Sequence, residues 1–527
     1  MIDFRTARRL SRPEVFGEPG GVLSRMLSLS RMLSLSQRLS CVALTVGLIL
    51  LVAPPVAAQD GPVDTVAIDR YVTAYLNRNG IPGAAVAVVS REGVVHVAGY
   101  GRGSDGADVT GDTAFPVASV SKSFTAVAML RLVEQGTVRL DDPVVTYLPE
   151  FAMADPRARQ ITVRNLLDQT SGLDDRRAPA GPAESLRRRV SQLAGADLLF
   201  APGERFRYDN LNSEVAARLV EVVSGRPFAS FMAEEVFGPL GMRASTTVDT
   251  AARFPRSGHV RVFGTAVPAP APAAFVNGSQ GVVTTAADMG RWLGAHLNEG
   301  VGPDGGRVLS AESIRVAHTP TARSPEYVMG WIADDPGELS HSGGNPTFMA
   351  EQTLLLRDGY GIAVMVDVGM TATAADADAI VDGLVTILGG GRAAAGVPVS
   401  LVTDVVFGVL TIVVIALGAL GVRRARRWAA ARRRMGTAAV RLLPYLVPGA
   451  VSVSLPVLAT ALYTRRTGWD ALAYGVPTVL MWLGVSTVVA LAVVTVRVRA
   501  LVASRPVPVS SSQARDATVV GSGSHAE

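Results

Sequence analysis

Hydrophobic and polar residues are distributed unevenly along the 527-residue chain. Three nearly uncharged stretches, residues 401–422, 438–463 and 471–496, lie in the C-terminal part. Each stretch is long enough to cross about 30 Å of hydrocarbon as an α-helix. The pattern therefore predicts that a more polar part of the chain is followed by an all-α transmembrane bundle of three helices.

The polar part contains two predicted β-hairpins, each made of two strand-like segments around a turn. The first hairpin turns at Arg91-Glu92-Gly93 and the second at Arg357-Asp358-Gly359. Helical patterns lie between them, at residues 121–135, 163–167 and 211–223. Strands at both ends with helices between them predict an α+β fold, in which an antiparallel sheet is flanked by helices.

An apolar run near the N-terminus, residues 42–53, follows Arg31 and Arg38. The run ends in Pro54-Pro55-Val56-Ala57-Ala58, which has small residues where a signal peptidase needs them. These features predict a signal peptide that is cleaved near Ala58. An uncleaved anchor is the alternative, although the run is short for a membrane span.

The loops between the apolar stretches carry unequal positive charge. Residues 423–441 contain eight arginines, whereas the second connection has only Arg465 and Arg466. Arginine-rich loops stay in the cytoplasm, so this loop and the signal peptide both place the polar domain outside the cell membrane and the C-terminus inside. The predicted organisation is an N-terminal extension and signal peptide (1–58), an exported domain (59–392), a three-helix transmembrane region (393–500) and a disordered cytoplasmic tail (501–527).

Charge and cysteine content restrict the possible partners. Residues 59–398 contain 29 basic and 38 acidic residues, whereas those after 398 contain 14 basic and 4 acidic residues. The basic isoelectric point thus belongs to the membrane-flanking ends, so a lipid bilayer is expected and a nucleic acid is not. Cys41 is the only cysteine, which excludes an intramolecular disulfide. No predicted span carries an acidic residue at mid-depth, and Asp404 lies near one edge, so the bundle is interpreted as an anchor rather than a transport pathway.

Lys122 is the most informative residue of the exported domain, because it is the only lysine in a chain with 50 lysines and arginines together. Arginine keeps its proton in proteins, whereas a partly desolvated lysine can become a neutral base. The presence of a lysine at this one position therefore predicts that a titratable amine is required there. A surface lysine left over in an arginine-rich composition is the alternative.

Ser119 lies three residues before Lys122, at the start of a predicted helix. Residues i and i+3 share one face of a helix, so the hydroxyl and the amine can meet. The N-terminal end of the helix dipole disfavours a protonated amine and stabilises a developing oxyanion. The spacing alone is a weak match, because serine is common.

Two further motifs make the prediction more specific. Tyr208 and Asn210 lie in a turn before a helix, where a phenol can exchange protons with a serine hydroxyl and an amide can hold a substrate carbonyl. A structural tyrosine with a helix-capping asparagine is the alternative. His341, Gly343 and Gly344 lie together before the second hairpin; glycines beside a cleft admit a substrate chain and free an amide for an oxyanion hole. The histidine is equally compatible with a solvated loop.

The ordered set Ser119-x-x-Lys122, Tyr208-x-Asn210 and His341-Ser342-Gly343 resembles the motifs of class C β-lactamase-like serine hydrolases. This group includes penicillin-binding proteins, DD-peptidases and related esterases and aminopeptidases. The resemblance covers about residues 64–390 and extends to connecting segments such as 140–151, 161–173 and 281–289.

The resemblance implies that Ser119 attacks a carbonyl to form an acyl-enzyme, while Lys122 and Tyr208 relay its proton. It also implies an oxyanion hole built from the backbone N–H groups of Ser119 and Gly344. The remaining motif residues would contact the substrate: Asn210, His341 and Gly343. No metal and no cofactor are expected.

Two departures from the family pattern concern the substrate more than the mechanism. True class C β-lactamases have a lysine in the third motif, where this chain has His341, so recognition of a substrate carboxylate is weakened. Asp168-Gln169-Thr170 stands where relatives often have Thr-His-Thr, and no consequence of this change is predicted.

The sequence thus predicts a membrane-anchored extracytoplasmic serine hydrolase that acts on an ester or on a D-amino-acid-containing peptide, with the cell wall as one source of substrate. The alternative is a penicillin-binding sensor or a DD-carboxypeptidase-like protein with slow acylation. His341 makes a true β-lactamase the least favoured interpretation.

Overall fold

The structure of the chain is a computed structural model that describes residues 63–177, 183–333, 335–371, 375–396, 399–431, 435–462 and 468–504. The predicted signal peptide and the predicted tail beyond residue 504 lie outside these ranges. The chain forms two compact units. The described residues of the smaller one are 63–71 and 382–394, and the larger unit contains the rest.

In the smaller unit the ring of Tyr71 packs against a glycine. A Cβ atom added at Gly383 would lie 2.1 Å from Cζ of Tyr71, so this position has no room for a side chain. Burial, followed by the nearby carboxylate of Asp382, raises the pKa of Tyr71 to about 12.

The described α-helices are numbered in chain order, and a π-helical turn at Met232–Phe237 follows α7. Their bounds are α1 Thr65–Asn79, α2 Ser121–Glu134, α3 Val144–Tyr147, α4 Val163–Leu167, α5 Leu186–Ser191, α6 Asn210–Ser224, α7 Phe228–Phe231, α8 Ala286–Leu297, α9 Ala311–His318, α10 Asp376–Leu388, α11 Val399–Arg423, α12 Ala425–Ala430, α13 Met435–Val440, α14 Val447–Leu462, α15 Trp469–Gly475 and α16 Pro477–Ala503.

The described strands form one large sheet and two small ones. Their bounds are β1 Gly83–Ser90, β2 Gly93–Gly101, β3 Phe115–Pro116, β4 Thr246–Thr247, β5 Gly258–Val262, β6 Thr265–Ala269, β7 Val282–Thr284, β8 Tyr327–Val328, β9 Trp331–Ile332, β10 Glu338–Gly344, β11 Met349–Leu355 and β12 Tyr360–Val366.

The large sheet has the strand order β2-β1-β12-β11-β10-β9-β8, and its paired neighbours are antiparallel. Both predicted hairpins are present, as β1–β2 and β11–β12. Pairing of β1 with β12 makes the two hairpins neighbours although they are far apart in sequence. The predicted α+β fold with an antiparallel sheet flanked by helices is therefore confirmed.

Helices pack on the sheet through small residues and buried apolar side chains. A Cβ atom at Gly290 of α8 would lie 3.3 Å from Val89 of β1, so the helix approaches the strand closely. Helix α2 is buried along most of its length, including four polar residues of its first turns. Buried polar groups need partners inside the protein, so their concentration at this helix end marks a candidate site. These residues are Ser121, Lys122, Ser123 and Thr125.

Among the described residues, three C-terminal stretches are long and apolar enough to cross a membrane: Leu401–Arg423, Gly436–Thr460 and Pro477–Ala503. Their mean hydropathies are 2.8, 1.7 and 2.4. The second stretch is interrupted by a 3₁₀ turn, Leu443–Leu446, because Pro444 cannot donate the hydrogen bond of a continuous α-helix. The predicted set of three apolar helices is present, and the third continues to Ala503, beyond the predicted boundary at residue 500.

The tip of the β5–β6 hairpin contacts two of these helices. The N–H of Gly264 donates a hydrogen bond to Oδ2 of Asp404 in α11 at 2.8 Å. The N–H of Phe263 donates to Oγ1 of Thr478 in α16 at 3.0 Å. Both helices offer residues from their N-terminal turns, so these two ends of the bundle lie on the same side as the hairpin.

Candidate active site

Ser119 and Lys122 meet in the interior of the larger unit. Nζ of Lys122 donates a hydrogen bond to Oγ of Ser119 at 3.0 Å, and the two residues are only 1% and 2% exposed. Burial excludes the alternative that Lys122 is a leftover surface residue. The structure differs from the prediction in one detail: Ser119 lies in a 3₁₀ turn, Ala118–Val120, that leads into α2, and Ala118 has φ +45°.

The amine of Lys122 also donates to the backbone carbonyl of Ser279 at 2.9 Å. On another side, the amine lies 4.9 Å from the ring centroid of Tyr208. The amine is therefore held between the serine hydroxyl, a carbonyl oxygen and an aromatic face, and these three contacts fix its position beside Ser119.

Tyr208 and Asn210 precede and begin α6, but neither residue caps that helix. The N-cap is Asp209, whose Oδ1 accepts a hydrogen bond from the N–H of Leu211 at 2.9 Å. The alternative in which Asn210 serves as the cap is therefore wrong, because the residue before it already fills that position. Asn210 is half-buried at the first turn of α6.

Gln169 holds this segment in place, which the sequence did not predict. Its Oε1 accepts hydrogen bonds from the N–H of Asp209 at 2.8 Å and from Nδ2 of Asn212 at 2.7 Å. Its backbone carbonyl accepts from the N–H of Arg207 at 2.8 Å. The segment Asp168-Gln169-Thr170 differs from the family pattern, and its glutamine fixes the residues on both sides of Tyr208.

His341 lies in strand β10 and is 1% exposed, not in a solvated loop. Its Nδ1 lies 2.7 Å from the carbonyl oxygen of Ser342, which can only accept, so Nδ1 carries the proton. Its Nε2 lies 3.4 Å from the hydroxyl of Tyr327. Burial, followed by the charge of Lys122, lowers the pKa of His341 to about 3. The imidazole is therefore neutral at physiological pH.

Tyr327 is a second residue that the sequence analysis missed. It is fully buried, and its ring packs edge-on against Tyr208 and His341, with centroids 6.1 and 5.8 Å away. Burial raises its pKa well above that of a free phenol, so its hydroxyl stays protonated. Tyr327 therefore links the second and third motifs as a neutral group. Its place in the short strand β8 gave no signal in the sequence.

The register of β10 determines which of its backbone amides point away from β11. The N–H of Asn345 donates to the carbonyl of Phe348, so hydrogen-bonded pairs with β11 occur at every second residue from Asn345. Gly344 is paired with Met349 in the intervening, non-bonded position, and its N–H points away from β11. This orientation is the one required of an oxyanion-hole donor.

Gly343 brings β10 against the turn that carries the serine. A Cβ atom at Gly343 would lie 2.1 Å from the carbonyl oxygen of Val117 and 3.1 Å from the backbone nitrogen of Ser119. Only glycine allows this approach. The structure thus brings together the first and third predicted motifs, Lys122 lies beside Tyr208, and Asn210 begins the helix that follows.

Three carboxylates lie near Tyr208 in the same unit, those of Asp174, Asp175 and Asp209, with oxygen atoms within 4.8 Å of one another. Such a group could hold a cation, but Asp174 is already paired with Arg176 at 2.7 Å, and both oxygens of Asp209 accept backbone N–H groups. Burial, followed by the charge of Asp175, raises the pKa of Asp209 to about 7. Protonation of Asp209 and these hydrogen bonds thus relieve the repulsion among the three carboxylates.

Comparison with known proteins places this site in a family. The profile of the β-lactamase family matches residues 68–386. Penicillin-binding protein 4 of Amycolatopsis lactamdurans is 36% identical over 265 residues, which are 48% of this chain and 69% of that protein. Protein flp of Staphylococcus aureus (strain MW2) is 26% identical over 316 residues, 56% of this chain and 62% of flp, so less than two thirds of that relative is spanned.

A solved structure agrees with this relationship at the level of the fold. The octameric penicillin-binding protein homologue from Pyrococcus abyssi has a TM-score of 0.52 and 21% sequence identity, and the match covers 62% of this chain and 78% of that chain. The family profile spans more than half of the present chain, including all the motif residues named above. The chain therefore belongs to the β-lactamase family, and the predicted β-lactamase-related serine hydrolase is confirmed.

Proposed function

We propose that this protein is a membrane-anchored extracytoplasmic hydrolase that forms an acyl-enzyme on Ser119 and acts on an ester or a D-amino-acid-containing peptide. The observation that carries the proposal is the buried 3.0 Å contact between Nζ of Lys122 and Oγ of Ser119. A nucleophile and a base within hydrogen-bond reach are the minimum requirement for acyl transfer by serine.

The proposed reaction begins when neutral Lys122 accepts the proton of Ser119 as Oγ attacks the substrate carbonyl carbon. The carbonyl oxygen becomes an oxyanion, which the backbone N–H groups of Ser119 and Gly344 stabilise. Collapse of this intermediate expels the leaving alcohol or amine, which takes a proton relayed by Lys122 and Tyr208. Water then attacks the acyl-enzyme by the reverse proton path, which releases the acid and restores the serine.

The third motif favours substrates that are recognised without a carboxylate. A lysine in this motif would offer a cation, whereas His341 is neutral because burial lowers its pKa to about 3. A neutral imidazole provides neither charge nor a bidentate donor for a carboxylate. Esters and peptides with a blocked or distant carboxylate therefore fit the site better than β-lactams with a free carboxylate.

Membrane attachment is proposed on the three apolar helices and their contacts with the hydrolase domain. Bonds from the β5–β6 hairpin to Asp404 and Thr478 put the N-terminal ends of α11 and α16 on the catalytic side. Arg423, Arg424, Arg426 and Arg427 lie at and just after the C-terminal end of α11, and arginine-rich connections are typical of the cytoplasmic face. This supports a catalytic domain outside the cell membrane and a cytoplasmic C-terminus.

A penicillin-binding sensor with slow acylation is the second candidate. Penicillin-binding protein 4 of Amycolatopsis lactamdurans, the 36%-identical relative, is named for penicillin binding. The hairpin contacts give such a sensor a direct path between the hydrolase domain and the bundle. A sensor and a hydrolase share the acylation step and differ in the lifetime of the acyl-enzyme.

The substrate prediction is tested with one D-alanyl peptide prepared as the free acid and as the amide. We expect kcat/KM for the amide to equal or exceed that for the acid, and their ratio to be the same at pH 7 and pH 5, because His341 stays neutral. His341→Lys should shift the ratio towards the acid, and Ser119→Ala should turn over neither. A preference of the wild type for the acid that grows on acidification would contradict the proposed specificity.

A further inference from the structure

The buried side chain of Glu214 lies outside the three motifs and is hydrogen-bonded to Ser279, whose backbone carbonyl contacts the amine of Lys122. Glu214 belongs to α6, one helical turn after Asn210, and is 3% exposed. Its Oε1 accepts a hydrogen bond from Oγ of Ser279 at 3.1 Å. Its Oε2 accepts one from Nε of Arg189 at 2.7 Å, so both carboxylate oxygens are engaged.

Ser279 connects Glu214 with the catalytic amine through two different atoms. Its hydroxyl donates to Glu214, and its backbone carbonyl accepts from Nζ of Lys122 at 2.9 Å. The residue lies in the turn 277–280, which precedes β7. The position of one carbonyl oxygen therefore depends on the side chain of the same residue and on the carboxylate that holds it.

The turn is confined between two helices, which makes it a precise support. Gly278 approaches α6 so closely that a Cβ atom would lie 2.6 Å from Cβ of Ala217, and it has φ +77°. Its carbonyl accepts a hydrogen bond from Oγ1 of Thr125 in α2 at 2.7 Å. Contacts with α2 hold one side of the turn, and Glu214 holds the side that faces α6.

The carbonyl of Ser279 determines how the amine is oriented. A neutral amine has two N–H bonds and one lone pair, and a carbonyl can accept only an N–H. When one N–H is directed at Ser279, the amine can turn its lone pair to Oγ of Ser119, as a general base requires. A displaced carbonyl would leave the amine free to rotate.

We propose that Glu214 is a positioning residue for the acylation reaction, which acts through Ser279 to orient the amine of Lys122 towards Ser119. The proposal rests on the proposed acylation of Ser119. Arg189 neutralises the carboxylate from the opposite side, so the group is supported as an ion pair within the protein.

The test uses the full-length protein in detergent and measures the single-turnover rate of labelling by a fluorophosphonate between pH 6 and pH 10. The variants are Glu214→Gln, Ser279→Ala and the double variant. Glu221→Gln is the matched control, because Glu221 lies on the same helix and pairs with Arg218 at 3.0 Å. Thermal unfolding of each variant verifies that it is folded.

We expect the plateau rate at high pH to fall about 10–100-fold in each single variant, because a small misplacement of the base slows the reaction by this order. The midpoint of the pH profile should move to lower pH in Glu214→Gln, since a negative charge near the amine is lost, and should stay in place in Ser279→Ala. Partial unfolding would lower the plateau without moving the midpoint. The double variant should be no slower than the slower of the two single variants, because both changes act on the same contact between residues 214 and 279.

The proposal would be overturned if folded Glu214→Gln or Ser279→Ala kept the plateau rate and the midpoint of the wild type. Labelling of the wild-type protein would uphold the proposed function in that case. If Glu214→Gln does not fold, Ser279→Ala decides, since it removes a single oxygen atom; its plateau rate counts only if its thermal unfolding matches that of the wild type. A wild-type protein that is not labelled would instead overturn the proposed function, and the positioning role with it.

Discussion

Replacement of Lys122 by arginine is expected to lower kcat/KM for an ester substrate by about 10³-fold, although the positive charge is retained. Arginine does not give up its proton in a protein, so it cannot accept the proton of Ser119. The guanidinium is also too large and planar to occupy a site that is 2% exposed while keeping the bonds to Ser119 and Ser279. The measurement is steady-state hydrolysis by the full-length protein in detergent.

The matched control is Arg102→Lys, an exchange of the same two residue types in reverse at an exposed ion pair with Asp108. This variant should retain wild-type activity, because exposed ion pairs contribute little to stability. Near-normal activity of a folded Lys122→Arg variant would show that the amine is not the base.

Gly343→Ala is expected to lower kcat by about 10²–10³-fold, the usual cost of losing one oxyanion-hole donor. The added Cβ atom would lie 2.1 Å from the carbonyl oxygen of Val117 and 3.1 Å from the nitrogen of Ser119. Both neighbours are backbone atoms, so β10 and the serine-bearing turn must separate. The amides of Ser119 and Gly344 would then no longer converge on one oxygen atom. Burst kinetics with a chromogenic ester would locate the loss in the acylation step.

Gly294→Ala serves as the control for this variant. Gly294 lies inside α8, and nothing lies within 4 Å of an added Cβ atom. Alanine there should leave kcat unchanged and stabilise the protein by about 0.5–1 kcal/mol, because glycine is unfavourable within a helix. Unchanged kcat in Gly343→Ala would refute the assignment of this strand to the oxyanion hole.

The hairpins and the Ser119–Lys122 pair were predictable because each depends on neighbours in sequence. The turn at Arg91-Glu92-Gly93 and the apolar segments beside it specify β1 and β2 locally. The i, i+3 spacing likewise determines that the serine and the lysine share one face, even though the serine precedes the α-helix in a 3₁₀ turn. Local geometry therefore suffices for the first motif.

The position of His341 was not predictable in the same way. Strand β10 contains two glycines and four polar residues, a composition typical of a loop, yet it forms an interior strand of the sheet. Pairing with β11 on one side and β9 on the other stabilises the strand, and neither partner is visible in the segment itself. Burial then makes the histidine neutral, which separates this site from one with a lysine.

The supporting residues depend on contacts between distant parts of the chain. Gln169 bonds with residues 40 and 43 positions away, and Glu214 bonds with Ser279 across 65 positions. A signal for Glu214 was present: it lies three residues after Leu211 and one before Val215, on the apolar stripe of α6. An acidic residue on such a stripe needs a buried partner and is a candidate for function.

The most direct test of the account is to identify the residue that becomes acylated. The full-length protein in detergent is treated separately with a fluorophosphonate and with a fluorescent penicillin, and the adducts are mapped by mass spectrometry of the peptides. The account predicts a fluorophosphonate adduct on Ser119 and none in Ser119→Ala. A short-lived or weak penicillin adduct on Ser119 is expected of a hydrolase with a neutral third motif, whereas a long-lived one indicates the sensor. Absence of any adduct on Ser119 with both reagents, or an adduct on another serine, would contradict the central claim.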